Sequence, residues 1–235
     1  MRVFGVATGL AILLLCNSCH SPGVMTGERT GPMVAPDVAE FATRWLEPGR
    51  RHRIKRLDIA YTDQEGRTGV LGDLMTKPVL ITFFYTRCQN GAKCSMAVSK
   101  VASLQRALKA QGLDGQVRLL AISYEPQFDS PDRINRFGTD RGMAFGENAK
   151  VLRLDPARLG DLIDELEAPV NYNAGWVNTH GVQLILVDAG GRLVRKYHTV
   201  LWENGLVIED VVRVVSGSSA IPSIFQSRSE PESGR

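Results

Sequence analysis

The sequence has little excess charge of either sign. Its 28 basic and 25 acidic residues leave a formal net charge of +3, and they are spread along the chain apart from one basic cluster, RRHRIKR at 50–56. A protein dedicated to nucleic acid usually shows a clustered basic face, so nucleic acid is not expected as a partner. The basic cluster is predicted to be a solvated strand or loop.

The composition also lacks the bias of a fibrous or wholly disordered chain. Hydrophobic residues make up 43% of the 235 residues and charged residues 23%, which suits one globular domain with flanking segments. Residues 20–50 are rich in Gly, Pro and Thr without apolar periodicity, and they are predicted to be a flexible tether. Residues 216–235 are polar and are predicted to be a disordered tail. The domain is therefore expected at 51–215.

The N-terminal apolar stretch, VFGVATGLAILLL, is too short for an ordinary membrane span, and with Arg2 before it the segment 1–19 is typical of an export signal. It resembles a bacterial lipoprotein signal, in which a cysteine after small residues is acylated. Cys19, which follows Ser18, is the predicted lipidation site; Cys16 is the alternative, and a secretory signal without a lipid is another. The mature protein is expected at the periplasmic face of a bacterial membrane, held by a lipid anchor.

Two continuous apolar runs, 79–84 and 117–123, are predicted to be strands covered on both faces. Between them, apolar residues recur at helical spacing, and Gly112 follows as a helix stop; the residues are Val98, Val101, Leu104 and Leu108. A strand, helix, strand unit implies parallel strands joined by a right-handed crossover.

Later segments complete the pattern. Two helices are predicted, one beginning at Ser130 and Pro131 and the other over 159–168. The apolar run at 182–187 and the segment RLVRKYH at 192–198 flank DAGG, which is a hairpin signal, and GLVIEDVVRVV follows as a closing helix. The order βαβ, helical insertion, ββα is the thioredoxin layout. We therefore predict an α/β, thioredoxin-like fold with a central mixed sheet flanked by helices.

Cysteine is scarce, and outside the signal segment Cys88 and Cys94 are the only thiols. They have five residues between them and follow the strand at 79–84, so Cys94 is predicted to lie at the start of the next helix. The positive end of a helix favours thiolate and should lower the pKa of that cysteine, which suits either a metal ligand or a nucleophile. Inert buried thiols and a stabilising disulfide are the structural alternatives.

Three separated motifs carry a resemblance to a known family: TFFYTRC with the second cysteine at the helix start, ISYEPQFDSP, and WVNTHGVQLILVDAGGRLVRKY. They resemble the Sco/SenC family of thioredoxin-like copper proteins. The resemblance implies that Cys88, Cys94 and His180 bind copper, that the two cysteines form a disulfide when oxidised, and that Asp129 matches an acidic residue near the site. The family usually has three residues between its cysteines, with proline after the first, whereas Gln89 follows Cys88 here.

Two thiolates and one imidazole are a soft, three-ligand set that suits copper, whereas structural zinc normally takes four ligands. His52 and His198 are predicted to be surface histidines. Asp129 either caps the helix after Ser130 or holds a loop against the site. For other residues near these motifs we predict structural roles. Arg87 should be exposed, and Trp176 and Trp202 should pack in the core.

The resemblance implies a copper chaperone or thiol reductant for the copper site of cytochrome c oxidase, with the copper-site subunit of that oxidase or another extracytoplasmic copper protein as partner. The alternative is an extracytoplasmic thiol-disulfide oxidoreductase or redox sensor without copper delivery. Against that alternative, the domain at 51–215 lacks a Cys-x-x-Cys motif and has NTHGV where thioredoxin-type reductases carry a proline before the hairpin strand.

Overall fold

The computed structural model describes residues 43–217. The predicted signal with Cys16 and Cys19, most of the predicted tether, and residues 218–235 of the predicted tail lie outside the described residues. Within the described part, no helix is long and apolar enough to cross a membrane.

The described chain forms nine strands and four α-helices. The strands are β1 (Ala60–Asp63), β2 (Thr68–Val70), β3 (Val79–Phe84), β4 (Arg118–Ser123), β5 (Ala149–Leu154), β6 (Val170–Asn173), β7 (Trp176–His180), β8 (Gln183–Val187) and β9 (Leu193–His198). The helices are α1 (Met96–Ala110), α2 (Pro131–Thr139), α3 (Pro156–Glu165) and α4 (Asn204–Ser216).

One mixed sheet is the centre of the fold, in the strand order β2-β1-β5-β4-β3-β8-β9. Strand β3 runs parallel to β4, as the strand, helix, strand pattern predicts, and antiparallel to β8. Both β3 and β4 are buried along their whole length, which explains their continuous apolar sequence. The prediction of a thioredoxin-like α/β fold with a central mixed sheet is confirmed.

Helices cover both faces of the sheet. Apolar residues of α1, α2 and α4 pack on one face, and α3 packs on the other with the segment 54–75. Local sequence explains the helix starts: the Ser130 hydroxyl accepts the Arg133 N–H at the beginning of α2, with Pro131 as its first residue. The β8–β9 hairpin turns at Gly190 and Gly191, whose φ angles of 116° and 77° explain the DAGG signal.

Sequence patterns missed five strands. β5 (AKVLRL) carries two cations, and β1, β2, β6 and β7 are short and largely polar, so none shows a continuous apolar run. The chain also joins the sheet earlier than residue 51. Thr43 N–H donates to Lys196 O at 2.7 Å and Leu46 N–H to Val194 O at 3.0 Å, so the last residues of the predicted tether lie along the edge of β9.

Candidate metal centre

Three separate segments bring Cys88, Cys94 and His180 together. Cys88 lies in the loop that leaves β3, Cys94 lies in a π-helical turn (Gly91–Ser95) that continues into α1, and His180 is the last residue of β7. Cys94 is fully buried and His180 is 7% exposed, whereas Cys88 is only partly buried. One side of the group therefore faces an open cleft, and the other side faces the core.

The three side chains form a tight cluster. The His180 Nε2 atom is 3.1 Å from the Cys94 sulfur and 3.7 Å from the Cys88 sulfur, and all three candidate ligand atoms lie within 4.8 Å of one another. Both cysteines are free thiols. Among residues 43–217 this is the only group of three or more His, Cys, Asp or Glu side chains close enough to hold a metal ion.

The π-helical turn explains how five residues fit between the cysteines. Met96 N–H donates to Gly91 O across five residues, and the Asn90 side chain accepts the Ala92 N–H at 3.0 Å where the turn begins. A π turn packs more residues into each turn than an α-helix does. The longer loop is therefore wound up locally, and Cys94 faces Cys88 across a short distance.

The structure corrects the predicted acidity of Cys94. Sequence reasoning expected a lowered pKa at a helix start, but burial raises the pKa of the Cys94 thiol, and the neighbouring Cys88 adds to the effect. A backbone hydrogen bond from Tyr85 opposes this rise without cancelling it. Desolvation therefore outweighs the helix terminus, and a metal ion that binds the Cys94 sulfur must displace its proton.

The imidazole of His180 is kept neutral. Burial lowers the pKa of His180, and the positive charge of Lys93 lowers it further. Tyr85 packs edge-on against the ring, with the two ring centres 5.1 Å apart. A neutral imidazole has a free nitrogen lone pair, which is the form that binds a metal. His52 and His198, the other two histidines of the described chain, are exposed and lie outside the cluster.

Asp129 holds the loop that leads to Cys88. Its buried carboxylate accepts hydrogen bonds from the Thr86 hydroxyl, from the Thr86 N–H at 3.3 Å and from the Ser123 hydroxyl. Burial raises its pKa in spite of these donors. The cap of α2 comes from Ser130 instead, so of the two predicted roles for Asp129 the structure shows the loop contact.

One charged residue near the cluster, Glu125, was missed from the sequence. Glu125 is 1% exposed and forms a two-point ion pair with Arg87, at 2.5 and 2.8 Å. Its position two residues after the apolar strand β4 was the available signal. Arg87 is exposed, as predicted, with 36% of its side chain accessible while it makes this pair. Trp202 is buried as predicted, but the prediction for Trp176 is wrong, because it is 47% exposed.

Chemically, the cluster offers two sulfurs and one neutral imidazole nitrogen at a partly open surface. Such a set can bind one soft metal ion. The two thiols can also reduce a disulfide in another molecule. They give it two electrons and two protons, and their own sulfurs become joined in a disulfide.

Comparison with known proteins agrees with this arrangement. The sequence profile described as SCO1/SenC matches residues 53–216, which is well over half of the chain. The chain belongs to the SCO1/SenC family. The family assignment confirms the resemblance that the sequence motifs indicated.

A curated relative of this SCO1/SenC protein is the SCO1 protein homolog of Bacillus subtilis (strain 168). The two are 27% identical over 165 residues, which is 69% of this chain and 82% of the relative.

Solved structures of the family share its fold. A SCO1/SenC family lipoprotein from Bacillus anthracis str. Ames superposes with a TM-score of 0.59 at 24% identity, covering 67% of this chain and 94% of that one. Bradyrhizobium japonicum ScoI, solved with copper bound, gives a TM-score of 0.53 at 22% identity and covers 66% of this chain and 96% of that one.

Proposed function

We propose that this SCO1/SenC protein binds one copper ion through Cys88, Cys94 and His180 and serves the assembly of the copper site of cytochrome c oxidase. The observation that carries the proposal is the convergence of two sulfurs and one imidazole nitrogen within 4.8 Å. The ion is cargo in this proposal, and the partner is the copper-site subunit of the oxidase or another extracytoplasmic copper protein.

The donor set favours copper over other metals. Thiolates are soft ligands that select Cu(I) and zinc, and zinc in a structural site normally takes four ligands. Within the described residues the group has three. The neutral imidazole of His180 gives the ion a third ligand. Because Cys88 is partly exposed, a recipient protein can reach the ion from that side.

Family relatives support the transfer of this role to the present chain. One solved relative is described as a member of the Sco family of cytochrome c oxidase assembly proteins, and the Bradyrhizobium japonicum and yeast relatives were solved with copper bound. The relative from Bacillus anthracis is described as a lipoprotein, which supports a lipid anchor for this chain. We propose Cys19 as its site, with the domain at the periplasmic face of the membrane.

The second candidate is thiol reduction. Because the two sulfurs are close and Cys88 is accessible, the reduced pair can transfer two electrons and two protons to a partner disulfide. The partner then carries two thiols, and Cys88 and Cys94 become joined by a disulfide. The same exchange would release copper, since a disulfide sulfur is a poor ligand compared with a thiolate.

The test is a Cu(I) competition titration of the reduced protein against a chromophoric chelator. We expect about one Cu(I) per chain, as one three-ligand site implies. His180→Ala should weaken Cu(I) binding by at least about 10- to 100-fold. That is the loss of metal affinity typical when a group that only orients a ligand is removed, and His180 is a proposed ligand itself. His198→Ala is the matched control and should leave the affinity unchanged, because His198 is exposed outside the cluster.

Equal affinities for the two variants would show that His180 is not a ligand. A disulfide-reduction assay on the same samples separates the two candidate functions. Catalytic reduction of a disulfide substrate by a protein that shows no Cu(I) affinity would favour the thiol-reductant function and overturn copper carriage.

A further inference from the structure

We propose that Glu125, paired with Arg87, is a positioning residue that holds His180 against the two cysteines. The inference rests on the proposed function, because it concerns how the copper site keeps its shape. Glu125 lies just after β4, outside the cluster itself, and its side chain is 1% exposed. Burying a carboxylate costs free energy of folding unless the charge is paired. The partners of Glu125 therefore indicate what the residue does.

One carboxylate joins the two segments that carry the ligands. Its Oε1 and Oε2 atoms accept hydrogen bonds from Arg87, the residue before Cys88. Its Oε1 atom also accepts the Val177 N–H at 2.8 Å. Val177 lies on β7, three residues before His180. Glu125 therefore ties the cysteine loop and the histidine strand to the end of β4.

Aromatic rings fix the arginine in this place. The Arg87 guanidinium lies 3.7 Å from the centre of the Trp176 ring and 5.0 Å from that of Phe128, and these two rings meet edge to face with centres 6.3 Å apart. Because Trp176 begins β7, the stacking adds a second link between that strand and the cysteine loop.

The β6–β7 hairpin needs such links. Within residues 43–217, β6 and β7 form a separate two-stranded sheet that does not join the seven-stranded sheet. A lone two-stranded ribbon is marginally stable in water, so its position depends on contacts with the rest of the domain. The Glu125 contact is one of these, and a bond from the Tyr172 hydroxyl to Tyr124 O at 2.9 Å is another. Losing Glu125 should leave His180 on a loosely held strand.

The experiment compares Glu125→Ala, which removes the carboxylate, with Glu125→Gln, which keeps an acceptor for the Val177 N–H. In the reduced, metal-free full chain, Glu125→Ala should increase hydrogen exchange at Val177 and neighbouring β7 amides. In the Cu(I) competition titration it should weaken binding by about 10- to 100-fold, and Glu125→Gln should recover part of that loss.

The matched control is Asp210→Asn. Asp210 is also a buried carboxylate paired with an arginine, Arg195, at 2.8 Å. Arg195 lies opposite Leu186 of β8 in the sheet, and Leu186 lies opposite Leu80, near the start of β3. Cys88 follows the other end of β3, so the Asp210 pair is at the opposite end of the strand from the metal centre. Asp210→Asn should therefore cost stability without changing Cu(I) affinity. Circular dichroism of each variant checks that it is folded.

A double-mutant cycle assigns the effect to His180. In the His180→Ala background, Glu125→Ala should weaken Cu(I) binding clearly less than it does in the wild-type chain, since the histidine that Glu125 positions has gone. An equal loss in both backgrounds, or unchanged Val177 exchange in Glu125→Ala, would overturn the inference while leaving copper binding intact. Absence of Cu(I) binding by the wild-type chain would instead overturn the proposed function.

Discussion

At the scale of the residue, Lys93 links the loop between the cysteines to the histidine of the site. Lys93 lies inside the π-helical turn, one residue before Cys94, and its Nζ atom donates to His180 O at 2.6 Å. It is one of the five residues between the cysteines, where the family usually has three. Lys93 therefore ties the cysteine segment directly to the histidine.

Lys93→Met should weaken Cu(I) binding by up to about tenfold, because the variant loses the bond that orients the His180 backbone. Lys93→Arg should retain most of the affinity, since a guanidinium can still donate to the carbonyl oxygen. The measurement is the Cu(I) competition titration, with Lys109→Met on the exposed side of α1 as control. Equal affinities of Lys93→Met and Lys109→Met would show that the lysine contact has no influence on the site.

At the scale of the element, a buried ion pair joins β1 to β5, two strands that were not predicted from the sequence. The Lys150 ammonium of β5 lies 2.8 Å from the carboxylate of Asp63 on β1. Burial alone would raise the pKa of Asp63, but hydrogen bonds from Lys150 and from the Glu65 and Arg67 N–H groups outweigh it and lower the pKa below 3.8. The ionised carboxylate therefore stabilises the folded state.

Asp63→Asn should reduce the free energy of unfolding by about 3–5 kcal/mol at neutral pH, as is typical when one partner of a buried pair is removed. A lowered pKa contributes stability above the ordinary value of Asp, and that contribution is lost as the pH falls through the folded-state pKa. The difference between wild type and variant should thus shrink below about pH 4. Urea unfolding at neutral and acid pH measures it.

Asp161→Asn is the control for this prediction. Asp161 pairs with Arg158 at 3.3 Å on the exposed surface of α3, where its side chain is 45% exposed. Exposed pairs contribute about 0–1 kcal/mol, so this variant should unfold almost as wild type does. A comparable loss in both variants, or a loss for Asp63→Asn that does not depend on pH, would contradict the stabilising role of the ionised Asp63.

At the scale of the whole molecule, the proposed function places the recipient of the copper ion at the open side of the metal centre. The cleft beside Cys88 and His180 is about 640 Å³ in volume, and Arg87, Lys93 and Trp176 lie along it. In the same proposal, a lipid anchor at Cys19 would keep this cleft close to the membrane surface.

The anchoring prediction is tested by Cys19→Ser in the full chain, expressed in a bacterium and separated into membrane and soluble fractions. The wild-type chain should partition with membranes and begin at an acylated Cys19, and the variant should be released or left unprocessed. Cys16→Ser is the control and should behave as wild type. A soluble wild-type chain whose N-terminus lies well after residue 19 would show that the lipid anchor does not exist.

Sequence by itself determined the centre of the fold and the candidate ligands. The strands β3 and β4, the helix α1 between them and the β8–β9 hairpin were predictable because each is specified by a local pattern: a continuous apolar run, helical periodicity, or a turn with Gly190 and Gly191. Cys88, Cys94 and His180 were found through motifs in a family-like order, which needs no knowledge of distances.

Only the tertiary structure decided how these residues act together. Burial of Cys94 reverses the pKa shift expected from its place near a helix start, because desolvation depends on everything packed around the sulfur. Glu125 contacts Arg87, which is 38 positions away in the sequence, and Val177, which is 52 positions away. The sequence of β6 and β7 also has no periodicity from which the hairpin could be predicted. Long-range pairing and burial are properties of the folded chain, and a local sequence pattern does not encode them.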